Sequence, residues 1–496
     1  MRTRILSDWL TLLVVFCALA NGGHDLWAAT LLYLSLLCLL IALLFDHGWE
    51  ERAPGLSIPF PAALACIAAA LALSFRYSVH PEESWLGLMD WLAAMLVFVI
   101  AHNIFREKRL LEDLLAAAAA LLCFETALIL YQHGAFAGAG VGTPDWLIRH
   151  VLRPQVPGTL VNSSAATAFF LLWTPVLIAH ARVKRRWFWT VGAAAAVLGV
   201  IALKSTWGMM CLAAAAALLA GPRPFLDWMN RRPRLAAAAA AGVAALIGAT
   251  LILKFSRPEN SSRLYWWASG LRMFRDHPWF GVGIGNFPSA YQAYKVGAVQ
   301  STLYAHNIVV GLLAETGIAG TTSVAAFFLL FFRRLWWEKK AVSERWPYLL
   351  GLTSFALFGG VGLSLEYLAN LATCGLFLGI LAAPLEARRW KPRRSALLVV
   401  AALGVSVVPW LVSPLLASRF CVSGTRALAD GDVFTAAKEF ASAADLDPRS
   451  SEARLGLSLA LFARYEISHD PKDLDESRAR RREAAALNSL QRTFAP

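Results

Sequence analysis

"LWAATLLYLSLLCLLIALLF", residues 26–45, runs for twenty residues without a charge. At about 1.5 Å of rise per residue, a helix of that length covers roughly 30 Å, the depth of a bilayer's hydrocarbon. Runs of this kind recur along the chain. The pattern predicts thirteen spans, at about 8–21, 26–45, 59–75, 84–104, 110–132, 163–181, 187–203, 205–220, 235–253, 306–332, 346–364, 369–385 and 395–415. The first starts without a small-residue cleavage site and reads as a retained span. Of 496 residues, 58% are hydrophobic and 16% charged, and the mean hydropathy is +0.53. Soluble domains carry about 25% charge. Strand alternation is absent, so helices must satisfy the backbone in lipid. The expected fold class is all-α, a polytopic transmembrane helical bundle of about 12–13 spans.

A net charge of +13 would suggest nucleic acid in a soluble chain. Its distribution argues for membrane topology instead. With the N-terminus inside, the inner loops hold 24 Lys and Arg and the outer loops ten. That bias is the positive-inside pattern. Six of the seven cysteines fall in apolar runs and read as small core residues, and Cys421 stands alone.

Two outer segments, 133–162 and 254–305, are too long to be plain connections, and loops of that length are usually functional. After Leu416 the chain turns polar. Gly424, Ala436, Phe440, Ala443 and Pro448 stand at the spacing of a tetratricopeptide repeat. One repeat and a fragment cannot stack into a solenoid, so residues 416–496 are expected as a small TPR-like helical tail on the outer side, packed on the rest or on a protein partner. Residues 1–415 are then the membrane domain.

"AHNIVVGLLAETGIAG", residues 305–320, puts His306 and Asn307 at the mouth of an apolar helix, followed by Gly317 and Gly320. Upstream stands "SSRLYWWASGLRMFRDHPWFGVGIGNF", residues 261–287. Arg263-Leu264-Tyr265-Trp266, the Pro278 and Gly281-Gly283-Gly285 stretch, Tyr291 and the His306-Asn307 pair together resemble the core of the O-antigen ligase family. "RPQVPGTLVNSS", residues 153–164, resembles a second family stretch. The resemblance covers about 150–320. It departs at Lys204-Ser205-Thr206, where the family carries an arginine in the place of Thr206. "GVGIGNF" lacks the spacing of a dinucleotide fingerprint.

The resemblance implies a metal-independent membrane glycosyltransferase without cofactors. The donor is an undecaprenyl-diphosphate-linked glycan, and the acceptor is a glycan, lipid A–core or protein hydroxyl. It implies the bacterial inner membrane, with the long loop and tail in the periplasm. Such transfer needs cations on the diphosphate and a base for the acceptor proton. Arginine's fork matches phosphate oxygens and stays charged. Arg263 and Arg153 are therefore the first candidates for the diphosphate, then Lys204 and Arg272. Histidine suits the base, and His306 sits at a helix N-terminus, which disfavours added positive charge on the ring. Asn307, Tyr265 and Trp266 are supporting candidates.

Plainer readings stand beside these. His306 could cap a span. Asn307 could only start a helix. Gly317 and Gly320 could let helices pack closely. Arg263 could pair with Glu259 or Asp276. Tryptophans at 266–267 and 336–337 could anchor the interface. Ligase, polymerase and protein oligosaccharyltransferase remain open as functions, as does a transporter or flippase of the same lipid-linked sugar. No internal symmetry of the transporter kind is visible.

Overall fold

A computed structural model of the chain describes residues 2–49, 56–138, 158–160, 162–219, 231–235, 238, 242, 258–297, 301–385, 389–390 and 394–488. The fold is helical. The membrane part comprises α1 (Arg2–Leu19), α2 (Leu26–Trp49), α3 (Pro61–Arg76), α4 (Pro81–Ile104), α5 (Lys108–Gly138), α6 (Ser163–Lys184), α7 (Trp187–Ala202) and α8 (Thr206–Leu218). It continues with α9 (Pro258–Asp276), α10 (Phe287–Tyr294), α11 (Ile308–Trp337), α12 (Lys339–Gly359), α13 (Leu368–Ala382) and α14 (Arg394–Ala429). The chain ends with α15 (Val433–Leu446), α16 (Ser451–Ser468) and α17 (Pro471–Leu487). The β structure among the described residues is one antiparallel pairing, Leu56–Ser57 with Arg389–Trp390.

Six of the described helices are long and apolar enough to cross a membrane, and four more are shorter and apolar. This is a multi-pass membrane protein. The expected seventh and eighth spans are separate helices, because Lys204 takes a left-handed φ of 53° and the Ser205 hydroxyl caps α8 through the Gly208 amide. Of the expected span at 235–253, only residues 235, 238 and 242 are among the described residues. The last expected span does not stop at 415: α14 runs on to Ala429 through Pro409 and Pro414. Its first half exposes Leu398, Leu403 and Val405, a face suited to lipid, and its last turns pack into the tail.

Buried aliphatic and aromatic side chains from α1–α8 and α11–α14 form one core. The α4–α13 contact is tight because Gly375 and Gly379 lie against the backbones of Ala94 and Phe98. The connections sort into two sets at opposite ends of the helices. At one end, Val79 donates its N–H to Val282, Leu363 donates to the Ser164 hydroxyl, and His24 meets Tyr367. At the other, Ser57 donates to Asn103, Arg345 to Phe105, and Lys184 pairs with Glu112. The first is called the loop end below.

The tail has its own core, in which Phe440 is enclosed by Ala417, Cys421, Ala436 and Leu457. Gly424 and Gly456 leave room for its ring, since a Cβ on either would lie 3.0 and 2.3 Å from it.

Candidate functional site

The expected span 306–332 is not one continuous helix. Gly317 has φ 61° and ψ −160°, which breaks α11. The break is filled by the loop that follows α9. Val282 and Gly283 donate their N–H groups to the carbonyls of Ala314 and Glu315, at 2.9 and 3.1 Å. Beyond the break, Ile318 and Ala319 donate to the carbonyls of Pro278 and Trp279, at 2.8 and 3.1 Å. The helix's lost hydrogen bonds are thus remade by the inserted loop, as an apolar environment demands. A Cβ on Gly281 would lie 2.2 Å from the Glu315 backbone, and one on Gly317 would lie 2.5 Å from that of Trp279. The spaced glycines serve this insertion. For Gly317 that replaces the reading of simple helix packing.

The same loop is tied to the α3–α4 turn. The Ser78 hydroxyl takes hydrogen bonds from Asn286 Nδ2 at 2.6 Å, from the Ser84 hydroxyl at 2.8 Å and from the His80 amide at 3.0 Å. The Ser74 hydroxyl receives the Ile284 amide at 2.9 Å.

His306 precedes the α11 cap with a left-handed φ of 55°. Its ring stacks on Trp266, with centroids 4.8 Å apart and planes 26° from parallel. Asn307 caps the helix, its Oδ1 accepting from the amides of Val309 and Val310 at 2.9 and 3.0 Å. Its Nδ2 donates to the Gly360 carbonyl at 2.8 Å. Arg263, one turn before Trp266 on the same face of α9, donates through Nη1 to the next carbonyl, that of Val361. Three elements therefore meet in one corner: α9, the start of α11 and the 360–361 turn. Burial pulls the Arg263 guanidinium below its ordinary pKa. The Glu259 side chain lies outside the described residues, and Asp276 is held by Arg275 at 3.0 Å.

The other expected residues lie around this corner or beyond it. Lys204 is exposed in the α7–α8 turn. Three residues on, Trp207 Nε1 donates to the Leu357 carbonyl, close in sequence to the 360–361 turn. Arg272 is exposed further along α9, and Tyr265 is exposed on a face away from Trp266, against Gly297. Arg153 lies outside the described residues. The turn just after it is held firmly. Gly158 and Gln132 exchange two hydrogen bonds, at 3.0 and 3.2 Å, and Glu125 accepts from the amide of Thr159 at 2.9 Å and from its hydroxyl.

Sequence reasoning missed Glu125 and Gln132. Their signal was two polar residues seven apart on one face of an apolar helix. It missed also that Glu315 shares a cavity of about 90 Å³ with Asp90, Glu366 and Tyr304. His306 is not among the lining residues. Tyr33 donates to Asp90 at 2.5 Å, and the Phe287 amide to Glu315 at 3.1 Å. Glu366, in the 360–367 loop, is pushed by burial up to about 7.

Residues 158–325 match the family model described as O-Antigen ligase. That stretch is similar to the O-antigen ligase domain. It runs from the Gly158 turn through α11 beyond its break, and so contains Lys204, Arg263, Trp266, His306 and Asn307. The Gly360–Val361 turn that Asn307 and Arg263 grip lies outside it, as does the α3–α4 turn beneath the inserted loop. The matched stretch is therefore packed against helices on either side of it in the sequence. No curated protein matches the chain.

Proposed function

We propose that the protein is a glycosyltransferase that moves a glycan from an undecaprenyl-diphosphate carrier to an acceptor hydroxyl in cell-surface polysaccharide synthesis. The observation that carries this reading is the corner where α9 brings Arg263 and Trp266 to the His306–Asn307 turn. A cation and an imidazole at the end of the helices suit a substrate whose diphosphate sits at the water boundary and whose tail stays in lipid. In the reaction, the acceptor oxygen attacks the anomeric carbon as His306 takes its proton. The bond from that carbon to the phosphate oxygen breaks, and the diphosphate leaves on its carrier. Arg263, with Arg153, Lys204 and Arg272, holds the diphosphate and offsets the charge that develops on it. Arg263 spends one of its five N–H donors on Val361, which fixes its stem and leaves the fork for phosphate.

On this reading the loop end faces the periplasm, the N-terminus is cytoplasmic, residues 1–415 are the membrane domain and 416–496 a periplasmic tail. The basic residues support that orientation. Ligase and polymerase differ by acceptor, a lipid A–core sugar or a further repeat unit, and a protein hydroxyl is the third choice.

The test is reconstitution with a lipid-diphosphate glycan and each acceptor, comparing the wild type with His306→Ala and Arg263→Ala. Loss of a positioned base lowers the rate by about 10²–10⁴-fold. Undiminished transfer by both variants would remove the site assignment. Movement of the lipid-linked glycan across vesicles, without transfer to any acceptor, would make the protein a transporter.

A further inference from the structure

His80 lies in the α3–α4 turn, 7% exposed, and its two ring nitrogens reach two parts of the chain far apart in sequence. Nδ1 is 3.3 Å from the Ser289 hydroxyl on α10, and Nε2 is 3.1 Å from the Ser451 hydroxyl at the start of α16 in the tail. Imidazole is well suited to such a bridge: it offers two polar atoms on one rigid ring, and a serine hydroxyl can donate to or accept from either. The tail is fixed beside it. The Arg449 guanidinium lies over Trp85 of α4 at 4.4 Å and over Trp410 of α14 at 5.7 Å, and it pairs with buried Asp447 at 2.8 Å.

From Ser289 the packing continues to the site. Phe287, Ala290 and Tyr291 of α10 form a cluster with Val282, Ala305 and Ala314, and Val79 and Trp266 pack against it. Ala305 adjoins His306, and Trp266 is the surface on which the His306 ring stacks.

We infer that His80 is a positioning residue through which the docked tail holds α10, and with it the Trp266–His306 stack, in the geometry that transfer requires. The inference rests on the proposed role of His306. The tail is then part of the transfer machinery and not only a surface for partners. The bond to Ser451 is buried and that to Ser289 partly buried, so both are shielded from competition by water.

The experiment uses the full chain in liposomes with the lipid-diphosphate donor. Ser451→Ala and Ser289→Ala should each lower kcat about fivefold, the factor that one net hydrogen bond represents, with KM for the donor unchanged. The double variant should be no worse than His80→Ala, because both changes cut the same link. His80→Asn offers α4 a good N-cap residue but cannot span both hydroxyls; it should stay low, whereas a purely helix-starting role would be rescued by it. Ser442→Ala, at a half-buried tail serine whose hydroxyl only donates to the Lys438 carbonyl of its own helix, should behave as wild type. Hydrogen exchange supplies a readout independent of chemistry: Ser451→Ala should speed exchange of the 287–294 amides. Full activity and unchanged exchange in Ser451→Ala, or additive losses in the double variant, would overturn the inference. If His306→Ala also transfers normally, it is the reading of the site that fails, while the exchange result still judges the link.

Discussion

The indole of Trp266 and the imidazole of His306 lie nearly parallel, one on α9 and the other just before α11, so the stack joins two elements that share no continuous helix. A ring held this way keeps one orientation. Trp266→Phe should preserve the shelf and most of the activity. Trp266→Ala should lower kcat about tenfold, in line with an aromatic pair worth roughly 0.5–1.5 kcal/mol. Single-turnover transfer rates check this, and equal rates for the two variants would show that the stack does not orient the ring.

Asn307 does two things with one amide: its oxygen caps α11 and its nitrogen grips the Gly360 carbonyl. Asn307→Asp keeps the cap and loses the grip, while Asn307→Ala loses both. The alanine variant should be less stable by about 1–2 kcal/mol, and the aspartate variant should fall between it and the wild type. Thermal unfolding in detergent orders the three.

Gly317 carries the break in α11 at a φ and ψ open essentially to glycine. Gly317→Ala combines about 1–3 kcal/mol of backbone strain with a Cβ 2.5 Å from the Trp279 backbone. The inserted loop cannot keep its place, so the variant should lose folding yield and transfer together. A folded, active Gly317→Ala protein would mean that the loop insertion is dispensable.

Glu366 gives a pH dependence. Burial lifts its carboxyl from an ordinary 4.5 to about 7, so the closed 360–367 loop binds the proton more tightly than an open one. The stabilisation is complete below about 4.5 and is lost as pH rises through 7, by roughly 3 kcal/mol in all. Hydrogen exchange across 360–367, corrected for its intrinsic pH dependence, should show more opening at pH 8 than at pH 5. Glu366→Gln should flatten that difference.

Glu125 and Gln132 hold the turn at Gly158–Thr159 from inside an apolar helix. Glu125→Ala leaves the partly buried Thr159 amide without its acceptor, a cost of about 1 kcal/mol. Limited proteolysis should then cut near residue 158 faster than in the wild type, with the rest of the chain intact.

Helical class and the bias of basic residues were open to reading in one dimension, because hydrocarbon leaves a backbone few options and an apolar run of twenty records its own purpose. The cluster of Arg263, Trp266 and His306-Asn307 was legible too, since those residue types are costly in an apolar chain without a use. What the sequence by itself determined was therefore the helices and which polar residues stand at their ends. The break at Gly317 was not legible: a glycine within an apolar run looks the same whether it lets a helix pass or an inserted loop replace its hydrogen bonds. Nor were the grip of Asn307 and Arg263 on the 360–361 turn, the hold of Glu125 on Thr159, or the bridge of His80 between α10 and the tail. Each joins residues tens to hundreds of positions apart, and such pairings follow from how helices pack in three dimensions, which only the tertiary structure decided.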